Sequence, residues 1–367
     1  MISAPLRPSY TVGEPSTLGR AARPPAETRA FICGLSGLEM TDFERGYFRE
    51  LKPWGAILFA RNIDHPDQVR ALTASVREAL GWHAPILIDQ EGGRVQRLKP
   101  PHWQRYPAAS RFGAMEMASP GTGIEAAQIS TWMIADDLLD VGIDVNCAPV
   151  LDLRVSGGTD AIGNRAYHTD PGAVARLGRE VHDAYLEAGI VPVVKHIPGH
   201  GRAIVDSHES LPIIKTDRAT LEATDFLPFR ALNDAPMAMT AHLVFEAIDP
   251  DLPATLSPTM IGIMRDQIGF NGALMSDDLS MGALSGSMAD RASGALAAGC
   301  DLALHCNGER TEMETMAQAL PLLYGDAFDR CASALDRRGR QSLDRAAMTD
   351  RLETLLAGFA GDDASIG

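Results

Sequence analysis

Two short strings in this sequence bring together residue types that often carry out chemistry. The first, Ser276-Asp277-Asp278, directly follows an apolar run. A carboxylate at the end of a strand can face the mouth of a barrel. Either aspartate also suits the cap of a following helix, which is a common role for Asp. Position alone therefore leaves a catalytic and a capping interpretation open, and the two adjacent acids can also divide these tasks.

A Gly- and Pro-rich segment holds the second string. Lys195-His196-Ile197-Pro198-Gly199-His200-Gly201 is followed closely by Asp206-Ser207-His208. Glycine and proline give such a stretch sharp local geometry and permit close backbone approach. Lys195 at a strand end can donate to a substrate hydroxyl, whereas three histidines beside Asp206 are also compatible with a metal site. The residue types by themselves leave both possibilities open.

The elements that position these strings are short apolar runs. Eight runs alternate with helix-periodic segments from Arg29 to about Leu323. Such runs are typical of strands covered on both faces, as in a parallel sheet. The predicted strands are Ala30–Gly34, Gly55–Phe59, Pro85–Ile88, Ile143–Asn146, Val191–Val194, Met237–Thr240, Gly272–Met275 and Asp301–Leu304.

Eight strand–helix repeats predict an α/β protein with a single (β/α)8 TIM-type barrel. The clearest predicted helices are Gln68–Leu80, Gly172–Ala188, Pro258–Ile268 and Ala289–Ala298, with one or two closing helices in Asp329–Phe359. A doubly wound sheet is the alternative, but the first strand is not followed by a GxGxxG motif. We expect an irregular N-terminal extension over 1–28, the catalytic barrel with its closing helices over 29–359, and a frayed tail over 360–367.

Polar residues gather where these strands are predicted to end, which is the functional end of such a barrel. Besides the two strings above, they are Asp89-Gln90-Glu91-Gly92-Gly93-Arg94, Asp152, Gly163-Asn164-Arg165, His242 and His305-Cys306-Asn307. This clustering favours a site at one end of the barrel over charges scattered across both ends.

Charge and cysteine content restrict the partners and the compartment. The formal net charge of −15, from 33 basic and 48 acidic residues, argues against nucleic acid and anionic membrane surfaces as partners. Four of the five cysteines lie in or beside apolar runs, where a cysteine is usually a small buried hydrophobe, and their scatter argues against a zinc or disulfide framework. The five cysteines are Cys33, Cys147, Cys300, Cys306 and Cys331. With no apolar signal-type region in Met1–Pro25 and no apolar run of membrane-spanning length, we expect a cytoplasmic protein.

In their order along the chain, the polar strings resemble the motifs of family 3 glycoside hydrolases, and most closely their bacterial β-N-acetylglucosaminidase branch, which acts in cell-wall recycling. The resemblance runs from about Phe31 to Asn307, and Asp206-Ser207-His208 distinguishes this branch within the family. The matching strings are Asp89-Gln90-Glu91-Gly92-Gly93-Arg94-Val95-Gln96-Arg97, Gly163-Asn164-Arg165-Ala166-Tyr167, Lys195 to Gly201 with Asp206-Ser207-His208 and Pro212, and Ser276-Asp277-Asp278-Leu279-Ser280-Met281.

The resemblance implies a role for each matching position. Asp277 matches the nucleophile, His208 the acid/base and Asp206 its carboxylate partner. Four residues match those that bind the hydroxyls of the non-reducing sugar, namely Asp89, Arg165, Lys195 and His196. Neither a metal nor a cofactor is implied. Ile197 stands where an aromatic is usual and Ala166 where Ser is usual, and we expect these departures to change packing rather than activity.

The resemblance implies a retaining exo-β-N-acetylglucosaminidase that hydrolyses terminal β-linked N-acetylglucosamine. We expect its substrate to be an N-acetylglucosamine-terminated saccharide or a muropeptide derived from peptidoglycan. The alternatives are a β-glucosidase or an N-acetylglucosaminide phosphorylase of the same family. A catalytically inactive sugar-binding barrel is the rival of another class, and the presence of both Asp277 and the Asp206/His208 pair argues against it.

Overall fold

Eight parallel strands form a closed barrel in the computed structural model, which describes residues 23–339 and 343–359. Each strand pairs with the next along the chain, and the last pairs with the first. The strands are β1 (Arg29–Gly34), β2 (Pro53–Leu58), β3 (Ile86–Ile88), β4 (Val145–Asn146), β5 (Val191–Ile197), β6 (Met237–Thr240), β7 (Ala273–Asp278) and β8 (Leu302–His305). The predicted (β/α)8 barrel is confirmed, since each predicted strand overlaps one observed strand.

Alternate residues of each strand enter two separate apolar cores. In β1, Ala30 and Ile32 belong to the cluster that fills the barrel, whereas Phe31 and Cys33 belong to the cluster between strands and helices. Interior and exterior positions alternate along every strand of a barrel. Because both faces are covered, the strands read as continuous apolar runs, which is why the sequence pattern located all eight.

Two strands extend further toward the carboxyl end than their apolar runs. β5 continues through Lys195 and His196 to Ile197, and β7 continues through Asp277 to Asp278. The predicted strands, bounded by their apolar runs, ended three residues earlier in both cases, which was wrong. The backbone stays extended because it remains paired: Lys195 aligns with Met239 of β6, and Asp278 aligns with Leu304 of β8.

Helices surround the barrel and begin and end at residues suited to those positions. For example, Thr41 and Ser287 form capping boxes at two N-termini, and Gly81 and Gly189 end two helices in the left-handed conformation. The helices are α1 (Asp42–Leu51), α2 (Pro66–Leu80), α3 (Ala109–Ala118), α4 (Thr122–Asp140), α5 (Pro171–Ala188), α6 (Arg218–Ala223), α7 (Leu227–Ala231), α8 (Pro258–Gly262), α9 (Met288–Ala298), α10 (Arg310–Ala317), α11 (Gly325–Leu335) and α12 (Arg345–Ala357).

The four clearest predicted helices are all present, but one changes type along its length. The predicted helix Pro258–Ile268 is α-helical only as α8, and Ile263–Gln267 continues it as a π-helix. The spacing of apolar residues over so few turns does not separate the two geometries. The predicted closing segment overlaps the end of α11 and includes α12.

A small parallel pair outside the barrel connects two of its loops. Ile213–Ile214, after the β5 loop, pairs with Val244–Phe245, after β6. Two residues are too few for a periodic signal, so the sequence did not predict this pair. Of the N-terminal extension predicted over 1–28, residues 1–22 lie outside the described part of the chain, as does the whole tail predicted over 360–367.

All five cysteines are buried, and none is in a disulfide with another described residue. Among the helices in the described ranges, none combines the length and the apolarity needed to cross a bilayer.

Candidate active site

A cavity of about 300 Å³ opens at the carboxyl ends of the strands. Part of its lining is apolar and comes from barrel-filling side chains of three strands, Ile57, Met239 and Leu304. The structure brings all seven predicted site residues to this one cavity. They are Asp89, Arg165, Lys195, His196, Asp206, His208 and Asp277.

Asp277 faces the cavity because of strand alternation. Ala273 and Met275 of β7 fill the barrel, so the next residue of the same parity points into the mouth above them. Its Oδ1 accepts the backbone N–H of Asp278 at 2.8 Å. Burial raises the pKa of this carboxyl, but the imidazoles of His196 and His242 outweigh burial and hold the pKa below its usual value. Asp277 is therefore an ionised carboxylate at neutral pH.

Asp278 has a different set of partners. Its Oδ1 accepts the backbone N–H groups of Ser280 and Cys306, both at 3.1 Å, and its Oδ2 accepts the Ser280 hydroxyl at 2.6 Å. This carboxylate closes the turn after β7 and joins it to the end of β8. The following helix α9 is capped by Ser287, so the helix-capping interpretation of the two aspartates is wrong.

A buried charge network forms one wall of the cavity. The Lys195 ammonium lies 2.7 Å from both Asp89 Oδ1 and Glu91 Oε1. Glu91 also accepts two hydrogen bonds from Arg165, each 2.8 Å long, in a bidentate pair. Arg97 lies 3.2 Å from Asp89 Oδ2. Each charge has an opposite partner, which offsets the cost of removing it from water.

The groups of this network hold one another in their charged forms. Burial lowers the pKa of Lys195, but the carboxylates of Asp89 and Glu91 outweigh it and raise the pKa above its ordinary value. Burial raises the pKa of Glu91, but Arg165 and Lys195 lower it to about 2. Fixed ammonium, guanidinium and carboxylate groups can bind neighbouring hydroxyls of a sugar ring as donors and acceptors.

His196 is oriented by Asp152. Its Nδ1 lies 2.6 Å from Asp152 Oδ2, and its backbone N–H donates to Asp152 Oδ1 at 3.2 Å. The carboxylate fixes the ring and leaves Nε2 as the ring nitrogen available to a ligand. Strict alternation would place Lys195 and His196 on opposite faces of β5. Both line the cavity because the register of β5 against β6 shifts between Lys195 and Ile197.

His208 lies at the rim, where its side chain is 71% exposed. Its Nδ1 lies 2.8 Å from Oδ1 of Asp206. Burial raises the pKa of Asp206, but the backbone N–H and the ring of His208 outweigh burial and lower it. The carboxylate engages Nδ1 and orients the ring, which leaves Nε2 to exchange protons with a ligand. The cavity therefore combines an ionised, half-buried carboxylate with an imidazole that solvent can reach.

The three loop histidines do not converge on a common point. Besides the His196 and His208 pairs, His200 Nε2 lies 3.0 Å from the Ser207 hydroxyl. Across residues 23–339 and 343–359, no group of three or more His, Cys, Asp or Glu side chains is arranged to hold a metal ion. The alternative of a metal site on these histidines therefore has no support in the geometry.

Four residues that contribute to the site were given no role from the sequence. Glu91, Arg97 and Asp152 hold the polar wall, and His242 lies beside the β7 carboxylates, donating through Nε2 to the Asp278 carbonyl at 3.0 Å. All four stand in or near the polar strings at strand ends, which was the available signal. The partners of Glu91, Asp152 and His242 are distant in the chain, so the roles of these three residues depend on the folded structure.

Comparisons with known proteins agree with this geometry. The sequence profile of the Glycosyl hydrolase family 3 N terminal domain matches residues 48–324. A beta-hexosaminidase of Alkalilimnicola ehrlichii is 41% identical over 281 residues, which are 75% of this chain and 80% of that protein. A beta-hexosaminidase of Thioalkalivibrio sulfidiphilus is 38% identical over 325 residues, 86% of this chain and 90% of that protein.

Solved structures show the same similarity. Native NagZ from Neisseria gonorrhoeae matches with a TM-score of 0.79 and 30% identity over 93% of this chain and 100% of that chain. The same protein, solved in complex with N-trifluoroacetyl-D-glucosamine, also matches with a TM-score of 0.79 and 30% identity over 93% of this chain and 100% of that chain.

Proposed function

This chain belongs to glycosyl hydrolase family 3, and from that premise we propose that it removes terminal β-linked N-acetylglucosamine by a retaining mechanism with Asp277 as nucleophile and His208 as acid/base. The resemblance that the sequence motifs indicated is confirmed, and the protein is a glycoside hydrolase that acts as a β-N-acetylhexosaminidase. The single observation that carries the assignment of roles is that one cavity holds an ionised, half-buried Asp277 and, at its rim, the Asp206/His208 pair.

The first step forms a glycosyl-enzyme. A carboxylate oxygen of Asp277 attacks the anomeric carbon while the bond from that carbon to the leaving oxygen breaks. Protonated His208 gives its Nε2 proton to the leaving oxygen, and the leaving group departs as a neutral alcohol. Asp206 stabilises the imidazolium before transfer, as a carboxylate does in other His–Asp pairs.

The second step hydrolyses that intermediate. Neutral His208 accepts a proton from water, the water oxygen attacks the anomeric carbon, and the bond to Asp277 breaks. The Asp277 carboxylate and the protonated His208 are thereby restored. Two inversions at the anomeric carbon leave the product with the configuration of the substrate.

Substrate binding is assigned to the polar wall. We place the hydroxyls of the non-reducing sugar on Asp89, Arg165, Lys195 and His196. Glu91 and Asp152 support this assignment because they hold the Lys195, Arg165 and His196 side chains in fixed positions. Preorganised donors and acceptors reduce the entropy cost of binding.

We also propose a natural substrate and a compartment. The substrate is an N-acetylglucosamine-terminated muropeptide, processed in the cytoplasm during cell-wall recycling, as the resemblance of the motifs implies. A carbohydrate substrate is supported by the names of the relatives and by the N-trifluoroacetyl-D-glucosamine complex of Neisseria gonorrhoeae NagZ.

One assay separates the proposal from its nearest alternatives. The enzyme is offered 4-nitrophenyl N-acetyl-β-glucosaminide and the matching β-glucoside, each with and without phosphate. We expect release of N-acetylglucosamine with no requirement for phosphate and little turnover of the glucoside. Faster turnover of the glucoside would favour a β-glucosidase. Formation of a sugar 1-phosphate as the main product would favour a phosphorylase, in which phosphate replaces water.

A further inference from the structure

We propose that Gly282, in the loop after β7, is a positioning residue for the acid/base His208. The backbone N–H of Gly282 donates to the His208 carbonyl at 3.2 Å, and the N–H of the next residue, Ala283, donates to the Ser207 carbonyl at 3.1 Å. These bonds dock the β5 loop on the loop that continues from the nucleophile strand. The inference rests on the proposed role of His208.

The close approach requires the absence of a side chain at position 282. A Cβ atom added to Gly282 would lie 2.8 Å from the His208 carbonyl oxygen and 2.9 Å from the Glu209 carbonyl oxygen. Both obstacles are backbone atoms, which cannot rotate away as the end of a flexible side chain can. Gly282 is not among the glycines with a left-handed backbone, so space and not backbone conformation requires glycine here.

A second anchor holds the same loop from its other side. The Ser207 hydroxyl lies 3.0 Å from Nε2 of His200. His200 is buried, and its backbone N–H donates at 2.6 Å to Asp152 Oδ1, in the carboxylate that also orients His196. Ser207 is thus tied both to the sugar-binding wall and to the loop after β7.

This arrangement couples the two proposed catalytic groups through a short piece of chain. Asp277 is the last residue of β7 on its barrel-facing side, and Gly282 lies in the turn that follows β7. A shift of the β5 loop would therefore change the position of His208 relative to Asp277. A displacement of about 1 Å can cost about 100-fold in rate when it affects a reacting group.

Gly282→Ala tests the inference, with Ser207→Ala as a milder second variant that leaves the backbone contacts in place. Gly262→Ala, at a position where a new Cβ meets nothing within 4 Å, is the matched control. Each variant is assayed with an N-acetyl-β-glucosaminide that has a poor alkyl leaving group and with one that has an activated aryl leaving group. The rate at which a mechanism-based fluorosugar labels Asp277 is measured in parallel, and thermal unfolding verifies that each variant is folded.

For Gly282→Ala we expect kcat/KM to fall about tenfold or more for the poor leaving group, with a change of about twofold or less for the activated one and for labelling. Ser207→Ala should show the same pattern with a smaller loss, and Gly262→Ala should match the wild type. Equal losses on both substrates, or none, in folded Gly282→Ala and Ser207→Ala would overturn the inference. If His208→Ala shows this dependence on the leaving group and these two variants do not, only the positioning role fails. If His208→Ala does not show it, the proposed function fails as well.

Discussion

One carboxylate oxygen of Asp206 accepts two hydrogen bonds from His208. Oδ1 receives the backbone N–H at 2.9 Å and faces the ring Nδ1 at 2.8 Å. The same oxygen thus fixes the turn that carries the histidine and the orientation of its imidazole. With Nδ1 engaged, Nε2 is the ring nitrogen that can exchange a proton with the substrate.

Replacement of His208 by alanine should slow a poor leaving group far more than an activated one. An aryl leaving group of low pKa needs little protonation, so formation of the glycosyl-enzyme continues while its hydrolysis lacks a base. We expect a burst of product followed by a slow phase, about 100-fold or more below wild-type turnover. Azide needs no base and should restore turnover. A uniform loss on all substrates without azide rescue would identify His208 as a binding residue.

Asp206→Asn should give a milder form of the same defect. The asparagine keeps a side-chain oxygen for the backbone N–H of His208 but removes the charge that stabilises the imidazolium. We expect the alkaline limb of the kcat/KM profile, where the general acid loses its proton, to move to lower pH in the variant, with the loss greatest for poor leaving groups. A comparison of kcat/KM against pH on both substrate types measures this. A variant with a wild-type profile would show that the carboxylate charge is not used.

Asp277→Ala should abolish turnover and leave the fold intact, because within residues 23–339 and 343–359 this carboxylate accepts one hydrogen bond, from the next residue. Asp278→Ala should instead destabilise the fold. Three donors lose their acceptor, which lowers the free energy of unfolding by about 1–3 kcal/mol. Peptide mapping after treatment with a mechanism-based fluorosugar should find the label on Asp277. A label on Asp278 would contradict the assignment of the nucleophile.

Acid should destabilise the protein through the buried wall of the cavity. The pKa of Glu91 is lowered from an ordinary 4.5 to about 2, so its contribution to stability is fully present above pH 4.5 and is lost as the pH falls toward 2. Glu91→Gln should flatten the loss of unfolding free energy in this window and cost about 3 kcal/mol at pH 7, since Lys195 and Arg165 lose a buried partner.

Urea denaturation at pH 7, 5 and 3 measures this effect. Glu353→Gln, which removes an exposed carboxylate on α12, is the matched control. If Glu91→Gln kept the slope of the wild type between pH 5 and pH 3, the charge network would not be the source of the acid sensitivity.

The barrel and the set of cavity residues could be predicted from the sequence for a physical reason. Strands buried on both faces must be apolar throughout, so each appears as a short continuous run. The carboxyl ends of parallel barrel strands all meet at one end, so the polar strings after those runs must lie near one another whatever the details of packing. Chain order alone therefore indicated that Asp89, Lys195 and Asp277 would share a cavity.

What the sequence did not determine depends on contacts between distant segments. The strands β5 and β7 continue past their apolar runs because backbone pairing with β6 and β8 does not depend on side-chain polarity. The pairing of Glu91 with Lys195 and Arg165, and of Asp152 with His196, follows from which loops the closed barrel brings together.

The different roles of Asp277 and Asp278 depend both on the sequence and on the tertiary structure. Two adjacent carboxylates are equivalent as residue types, and the sequence alone left catalytic and capping interpretations open for them. Both line the cavity, but Asp278 is engaged by the N–H groups of Ser280 and Cys306, whereas Asp277 accepts, among the described residues, the N–H of Asp278. The sequence determined that an acid would stand at the end of β7. Only the tertiary structure decided which carboxylate keeps an oxygen available to a ligand, because that depends on the donors that β8 and the turn after β7 provide.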